Sequence, residues 1–372
     1  MTRYAVVGLG VLGGATLLAL ARAGVECIGF DAGRVGHPHG ASGGGETRIF
    51  RTAVADAPAY RLLLDRSREC WTDLDGSHAT PARPVFRPCG ALTVGPPGDP
   101  RVRAVAGSGR SAVLGPEAAG ERWPAHRVAP DEVAVLDPGG GLLHAASATR
   151  ALVAEARRLG AQVRERSPVL EVVRTGGRVI VRSGDGDDVL DGIVVATGHY
   201  RFPPGAGPGP DGVVNRRVVL TWFPVRDPDR FSSAAFPPGV RLGGSAFTFF
   251  PAVDGRAIKI NVQVSQPRTA GPDDHHPPVR PDYPASWPEQ PAARIDGLGA
   301  CPVRQETYVE GYTPGGRGIV DLVGSAPPVV TLGGFSGQGF KYAPAVGELA
   351  ADLLRTGVPA STAFAGVAAT AG

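Results

Sequence analysis

Two arginines lie three residues apart in the segment Thr-Arg-Ile-Phe-Arg at positions 47–51. If this segment is a helix or a turn, Arg48 and Arg51 point their guanidinium groups to the same side. A guanidinium group binds a carboxylate through two parallel hydrogen bonds, which fixes the orientation of a small acid. The spacing therefore indicates either a carboxylate-binding pair or two solvated surface arginines.

A glycine-rich segment, Gly-Phe-Ser-Gly-Gln-Gly-Phe-Lys, occupies positions 334–341 between a strand-like run and a helical pattern. Backbone N–H groups and the helix dipole at such a position can stabilise negative charge. A lysine in the first turn of a helix opposes that dipole, so the presence of Lys341 needs a reason. The segment predicts a second place where an anion is bound.

Lys259 stands alone in the apolar run at positions 257–261. If the run is a strand, alternation places the lysine on the face opposite Ile258 and Ile260. An outward, solvated lysine and a functional lysine fit this pattern equally well.

The N-terminal residues 4–31 have the pattern of a strand, a glycine turn, a helix and a second strand. Gly8, Gly10 and Gly13 form the turn, and Asp31 ends the second strand about 20 residues later. Such a turn lets the backbone approach a pyrophosphate at a helix N-terminus, and the acidic residue accepts hydrogen bonds from ribose hydroxyls. This motif alone fits NAD, NADP or FAD.

Together and in this order, segments 8–13, 47–51 and 334–341 resemble the flavin-dependent amine oxidases typified by monomeric sarcosine oxidase and N-methyltryptophan oxidase. The resemblance implies an FAD cofactor, molecular oxygen as electron acceptor and a small amine substrate that carries a carboxylate. It places Arg48 beside the flavin and assigns the carboxylate to Arg51 and Lys341. It assigns to Lys259, assisted by Arg48, the acceleration of the reaction with oxygen.

The resemblance also implies a set of cofactor contacts in the glycine segments and around them. They are Gly8, Gly10, Val11, Leu12, Gly13, Asp31, Ser42, Thr47, Arg48, Val169, Thr197, Gly198, Gly337, Gln338, Gly339, Phe340 and Lys341. Family members typically attach the flavin to a cysteine. An ungapped alignment puts Tyr308 at that position and a two-residue shift puts Glu310 there, so we expect non-covalent FAD.

Other positions depart from the family in the region that would contact the substrate. Thr248 and Glu310 stand where sarcosine oxidase has tyrosines, and Gln263 stands where it has a histidine. The histidine pair before the arginine segment is replaced by glycines at 43 and 44. The carboxylate-binding residues are retained while this pocket differs, so we expect an amino acid other than sarcosine. Glu310, if it faces the pocket, could bind a second, cationic group.

The resemblance implies an α/β (α+β) fold in which a Rossmann-like FAD-binding domain carries an inserted antiparallel β-rich substrate domain. We assign residues 1–84, 141–205 and 303–372 to the first domain. Residues 85–140 and 206–302 form the second. The proline-rich stretch at 81–100 suggests irregular structure.

Composition argues against several other classes of protein. The net charge is +3 with no basic run, which gives little support for nucleic-acid binding. No apolar run is long enough to span a membrane. The four cysteines form no CxxC pair, which fits a cytoplasmic protein without disulfides or zinc. Asp-Asp-His-His at 273–276 lies among prolines and fits a solvated loop better than a metal site. A monomer is compatible with the resemblance.

These observations favour an FAD-dependent oxidase of a secondary or cyclic α-amino acid or a related amine. Hydride would pass from the C–H next to nitrogen to flavin N5, giving an imine and hydrogen peroxide. The alternatives are a flavin-dependent desaturase of a cyclic imine or amino-acid intermediate in natural-product biosynthesis, a nicotinamide-dependent dehydrogenase, and a non-catalytic nucleotide-binding protein.

Overall fold

The computed structural model describes most of the chain. The described residues are 2–38, 40, 42–54, 58–81, 83–207, 209–244, 246–262 and 291–358. Gln263 and the Asp-Asp-His-His segment at 273–276 lie outside the described residues, so their predicted roles stay predictions.

The described residues contain helices and strands in mixed order. The α-helices are α1 Val11–Arg22, α2 Pro58–His78, α3 Pro100–Ala106, α4 Pro116–Arg122, α5 Ala145–Arg158 and α6 Gly339–Thr356. The strands in the first half are β1 Arg3–Val7, β2 Glu26–Phe30, β3 Thr47–Phe50, β4 Phe86–Arg87, β5 Ala91–Gly95, β6 Ala112–Leu114, β7 Val133–Asp137, β8 Gly141–His144, β9 Gln162–Arg164 and β10 Val169–Thr175. Those in the second half are β11 Arg178–Ser183, β12 Gly186–Leu190, β13 Gly192–Val195, β14 Val214–Pro224, β15 Gly239–Arg241, β16 Phe247–Phe250, β17 Ala257–Val262, β18 Arg304–Tyr312, β19 Ile319–Ser325 and β20 Pro328–Gly333.

A six-stranded sheet has the order β19-β20-β13-β1-β2-β9. Its strands are parallel except for β19, which pairs antiparallel with β20. Helix α1 packs against both α5 and α6. Strands such as β1 and β13 are short apolar runs because helices and a second layer cover both of their faces. The predicted strand–turn–helix–strand unit is therefore present, with β1, α1 and β2 in the predicted order.

An eight-stranded sheet has the order β18-β14-β17-β16-β15-β5-β7-β6. Its neighbours are antiparallel apart from the parallel pair β15–β5. One face packs on a core that includes Phe249, Ile258 and Ile260. Together the two sheets confirm the predicted mixed α/β fold class, with a Rossmann-like unit and a β-rich unit.

Two local expectations differ from the structure. Residues 47–50 form strand β3, paired with β8, rather than a helix or turn. The stretch predicted to be irregular contains β5, whose five residues are all buried. Strand β5 is bonded to β7 on one side and β15 on the other, so partners distant in sequence override the flanking prolines.

The division into two domains stays a proposal. Strand β18 lies within 303–372, the range assigned to the FAD-binding domain, but it hydrogen-bonds along its length to β14 of the eight-stranded sheet. In the described part of the chain, no helix is both long and apolar enough to cross a lipid bilayer.

Candidate active site

Two adjoining cavities lie between the sheets. The glycine-loop cavity, about 820 Å³, is lined by both glycine-rich segments and the carboxyl end of β2. The basic cavity, about 550 Å³, is lined by five cationic residues of the described chain: Arg48, Arg51, Arg216, Lys259 and Lys341. The two cavities share Arg48, Glu310, Ser336, Gly337 and Phe340 as lining residues. A molecule in the first cavity can therefore reach the second.

The first glycine turn allows close backbone packing beside the glycine-loop cavity. Gly8 has φ +90°, and a Cβ at Gly13 would lie 1.8 Å from the Gly8 carbonyl oxygen. A Cβ at Gly10 would stand 3.0 Å from the Ser42 Oγ at the cavity lining. Only glycine permits this close packing of α1 on β1 and leaves the cavity open beside the turn.

Asp31 directly follows β2 at the edge of the same cavity. Its Oδ2 accepts a hydrogen bond from the Leu9 backbone N–H at 2.8 Å, and its Oδ1 accepts one from Gly33 at 2.8 Å. A carboxylate has roughly four acceptor positions, so capacity for ligand hydroxyls remains. Asp31 thus shapes the glycine turn as well as facing the cavity.

Most of the predicted cofactor residues line the glycine-loop cavity. They are Gly8, Gly10, Val11, Leu12, Asp31, Ser42, Arg48, Val169, Thr197, Gly198, Gly337, Gly339 and Phe340. Thr47, Gln338 and Lys341 instead line the basic cavity. Gly13 lines neither cavity, and its place in the structure is the close contact with Gly8.

The glycine-loop cavity fits a dinucleotide. Helix α1 begins after Gly10 with no side-chain cap and no acidic residue in its first turn. Its first N–H groups therefore remain available to an anion, which the helix dipole also favours. Helix α6 likewise begins without a side-chain cap, after the positive-φ residues Ser336 and Gly337. Two helix N-termini thus point at one continuous space, as a cofactor with a pyrophosphate and an anionic ring requires.

One wall of the basic cavity is the eight-stranded sheet. Because side chains alternate along a strand, every second residue of four neighbouring strands faces the cavity. These residues are Tyr308, Glu310 and Tyr312 of β18, Arg216, Val218 and Leu220 of β14, Lys259 and Asn261 of β17, and Thr248 and Phe250 of β16; Val262, at the end of β17, departs from the alternation and also lines the cavity. The intervening residues, such as Ile258 and Ile260, are fully buried in the core behind the sheet.

The other wall comes from β3 and the start of α6. Arg48 and Arg51 both line the basic cavity. In a continuous strand, residues three apart face opposite sides, but β3 ends at Phe50 and Arg51 lies beyond it. The two arginines therefore line one cavity, as predicted, but the end of a strand brings them together and not a helix or turn.

Lys259 is only 2% exposed, and its environment is polar on one side and aromatic on the other. Its Nζ donates hydrogen bonds to the carbonyl oxygens of Gly45 (2.5 Å) and Thr47 (2.7 Å) and lies 3.8 Å from the Phe250 ring centre. Burial, reinforced by the nearby charge of Arg48, lowers the pKa of Lys259 well below its ordinary value. The predicted orientation opposite Ile258 and Ile260 is the one observed.

Arg48 lies where the two cavities meet. Its Nη1 donates to the Thr47 carbonyl oxygen at 2.8 Å, and its guanidinium carbon lies 5.8 Å from the Phe340 ring centre. Burial lowers the pKa of Arg48, while the negative charge of Glu310 opposes that change. Arg48 thus presents a partly desolvated positive charge at the junction.

Lys341 is 4% exposed, so it is not a solvated side chain. Its Nζ donates to Gln338 Oε1 at 3.0 Å and lies 4.9 Å from the Tyr342 ring centre. The ammonium group borders the basic cavity together with Arg51. An anion between these two cations would offset the unfavourable position of Lys341 in the first turn of α6.

Tyr308 occupies space that glycine leaves open. A Cβ at Gly44 would lie 2.1 Å from the Tyr308 Cε1. The Tyr308 hydroxyl accepts a hydrogen bond from the Gly45 N–H at 2.8 Å and donates to Glu306. None of the four cysteines, all of which the structure describes, lines either cavity.

Thr248 and Glu310 lie where the sequence predicted substrate contacts, in the lining of the basic cavity. The Thr248 hydroxyl makes a long hydrogen bond of 3.5 Å to the Asn261 carbonyl oxygen. Glu310 accepts a hydrogen bond of 3.1 Å from the Tyr312 hydroxyl and borders both cavities. Its position beside Arg48 makes it the carboxylate nearest the junction among the described lining residues.

Sequence reasoning missed Arg216, Tyr312, Phe250 and Asn261 as cavity residues. The available signal was alternation, because Arg216 has the same parity as Val218 and Leu220 in one long strand. That signal identifies a shared face but does not reveal that the face borders a cavity. The described residues contain no cluster of His, Cys, Asp and Glu suited to a metal ion.

The sequence matches the family described as DAO, FAD dependent oxidoreductase, over residues 3–353. Monomeric sarcosine oxidase from Streptomyces avermitilis is 28% identical, covering 95% of this chain and 94% of the relative. N-methyl-L-tryptophan oxidase from Citrobacter koseri is 26% identical, covering 95% of each. The solved structure of NikD, an unusual amino acid oxidase essential for nikkomycin biosynthesis, has a TM-score of 0.79 at 18% identity. It covers 97% of this chain and 96% of NikD. The resemblance inferred from the motifs is confirmed.

Proposed function

Because the chain belongs to the FAD-dependent oxidoreductase family, we propose that it oxidises a secondary or cyclic α-amino acid, or a related amine. The observation that carries this proposal is the junction of the two cavities, where a basic, partly buried pocket opens onto the glycine loops. Similarity to monomeric sarcosine oxidase and N-methyl-L-tryptophan oxidase supports the amine as the reacting group.

FAD, when bound, supplies a hydride acceptor for the carbon next to the amine nitrogen and returns both electrons to oxygen, giving an imine and hydrogen peroxide. The residues of both glycine segments and Asp31 would hold it. We propose a non-covalent cofactor, since no cysteine lines either cavity.

The substrate carboxylate would bind between Arg51 and Lys341. Arg51 offers a planar pair of donors, and Lys341 adds a second positive charge from the start of α6. Holding the carboxylate at both groups fixes the position of the α-carbon and nitrogen, which lowers the entropic cost of reaching the reactive geometry. The pair therefore orients the substrate without taking part in bond breaking.

Lys259 and Arg48 would stabilise the negative charge that develops on oxygen. Lys259 is held by two backbone carbonyls, so its Nζ needs little reorganisation when that charge forms. Arg48 adds a second positive charge at the cavity junction. We also propose that the substrate is a small amine and that molecular oxygen accepts the electrons. The protein would act as a monomer in the cytoplasm.

Product stoichiometry tests the proposal. The purified protein is supplied with N-methyl amino acids, proline, pipecolate, cyclic imino acids and primary amino acids in air-saturated buffer. We expect one class to yield one hydrogen peroxide for each imine or carbonyl product formed. A protein that binds FAD but produces no peroxide with any amine would contradict the proposal.

A further inference from the structure

The most informative unassigned side chain in the basic cavity is Arg216. It lies on β14 and lines this cavity but not the glycine-loop cavity. Its Nε is buried without a hydrogen-bond partner, and among the described residues it forms no ion pair within 4.0 Å. Arg216 as a whole is half-buried, and the atom left without a hydrogen bond is its buried Nε. A buried donor without an acceptor carries a free-energy cost that a ligand in the cavity would offset.

Glu310, the carboxylate on the neighbouring strand β18, does not offset this cost. Glu310 stands opposite Arg216 in the β14–β18 register, yet the two side chains form no ion pair. Glu310 instead accepts a hydrogen bond from Tyr312 and faces Arg48 at the cavity junction. The Arg216 guanidinium carbon lies 5.7 Å from the Tyr312 ring centre, and the residue lines the cavity.

The balance of charges around the basic cavity also favours a second bound anion. Among the residues that the structure describes, five cationic residues and one carboxylate line this cavity. One substrate carboxylate between Arg51 and Lys341 leaves Arg216 unmatched on the opposite wall, because Arg216 comes from the sheet and the other two residues do not. A cavity of about 550 Å³ also has room for more than the smallest amino acid.

We propose that Arg216 binds a second carboxylate, so that the substrate is an N-alkyl or cyclic α-amino acid with an acidic side chain. This inference rests on the proposed function and names its substrate class. Arg216 contacts the far end of the substrate and determines specificity. A guanidinium group suits this role because it pairs with a carboxylate in two parallel hydrogen bonds.

The chain offers a matched control. Arg217 is the next residue of β14, so it points to the opposite face of the strand, and it does not line the basic cavity. Arg216→Gln and Arg217→Gln remove the same charge one residue apart. Only the first is expected to alter recognition of the substrate side chain.

The test compares N-methyl-glutamate and N-methyl-aspartate with N-methyl-glutamine, N-methyl-norleucine and N-methyl-lysine. Apparent Kd values come from anaerobic flavin reduction. We expect the wild type to bind an acidic side chain best, and Arg216→Gln to weaken that binding roughly 10- to 100-fold. Binding of the neutral substrates should change little, and Arg217→Gln should retain the acidic preference. Equal affinity for neutral and acidic side chains, or preference for the lysine derivative, would overturn the inference while leaving amine oxidation intact.

A second readout does not depend on turnover. Glutarate and butyrate are titrated against the FAD-bound protein, and binding is followed by the change in flavin absorbance. We expect glutarate to bind more tightly than butyrate in the wild type and in Arg217→Gln, but not in Arg216→Gln. If this pattern holds while no amine reduces the flavin, the second anion site stands and the proposed function fails. Equal binding of the two acids would refute the second site.

Discussion

The two cavities differ in which parts of the chain line them. The glycine-loop cavity is lined largely by short continuous segments, among them residues 8–12 and 31–34. The basic cavity takes every second residue from four strands between positions 216 and 312, and adds residues from β3 and α6. One is therefore encoded locally in the sequence, and the other depends on strand pairing across long separations.

This difference determines which amino-acid substitutions each cavity can tolerate. In the glycine-loop cavity, neighbouring backbone segments pack closely at the glycine turn, so its shape depends on the absence of side chains at Gly8 and Gly13. The basic cavity depends on side-chain charge held in place by burial, as at Lys259 and Lys341. Substitutions should therefore separate into effects on cofactor binding and effects on substrate or oxygen chemistry.

Lys259→Met should have the largest effect, and it should fall on the oxygen reaction. Loss of a fixed donor at a developing charge costs about 10²- to 10³-fold in rate. Anaerobic reduction by substrate should change much less. The measurement is stopped-flow reoxidation of the reduced protein by oxygen.

Lys341→Met is the matched control for this variant, since it removes the other lysine of the same cavity. It should weaken substrate binding and leave reoxidation largely unchanged. If both variants slow flavin reduction and reoxidation equally, the assignment of Lys259 to the oxygen reaction and of Lys341 to substrate binding is wrong.

The pH dependence of the reoxidation rate also tests whether the charge of Lys259 assists the oxygen reaction. Lys259 carries its charge only below its pKa, and burial places that pKa well below the ordinary 10.5. The reoxidation rate should therefore fall as pH rises, at a lower pH than an exposed lysine would produce. Lys259→Met should remove this fall, and a fall that persists in the variant would assign the titration to another group.

Arg51→Ala should weaken the binding of carboxylate substrates by about 2–4 kcal/mol, because it leaves part of a desolvated charge pair unmatched. Apparent Kd values are measured for an N-methyl amino acid and for its methyl ester. The loss should appear with the acid and largely vanish with the ester. Arg103→Ala, at an exposed position of α3, serves as the control. An equal loss for acid and ester would refute the carboxylate role.

Gly13→Ala tests the glycine-loop cavity alone. The added Cβ would stand 1.8 Å from the Gly8 carbonyl oxygen, so the turn must shift, at a cost of about 1–3 kcal/mol. Isothermal titration of the apoprotein with FAD should show weakened binding. Gly76→Ala in α2 meets no atom within 4 Å and should leave FAD affinity unchanged. Unaltered affinity in Gly13→Ala would show that the turn does not shape the cofactor site.

Tyr308→Phe should have the smallest effect, about 1 kcal/mol in unfolding free energy, because it removes hydrogen bonds to Gly45 and Glu306 while keeping the ring. The Gly45 carbonyl also accepts from Lys259, so a slight slowing of reoxidation should accompany the loss. Chemical denaturation measures the first effect and stopped-flow the second. Unchanged stability would show that solvent or the loop replaces these bonds.

The elements that could be predicted from the sequence are those formed by short contiguous segments with a recognisable pattern. The β1–α1–β2 unit and the α6 glycine segment occur where their patterns placed them. Strand β5 was missed because its strand state comes from pairing with β7 and β15, which composition does not reveal. Arg216 was missed for a related reason, since alternation shows a common face but not the empty space beside it. Arg48 and Arg51 were predicted together through a helix or turn, whereas the end of a strand brings them together.

The most direct test of the account is anaerobic mixing of the FAD-bound protein with a substrate pair that differs only in the carboxylate. N-methyl amino acids from the reactive class are compared with their decarboxylated amines, and flavin absorbance is recorded. We expect rapid bleaching by the acid and bleaching slower by at least about tenfold with the amine, since Arg51 and Lys341 would have no carboxylate to bind. Equal bleaching by both members would contradict a basic cavity that orients its substrate through a carboxylate.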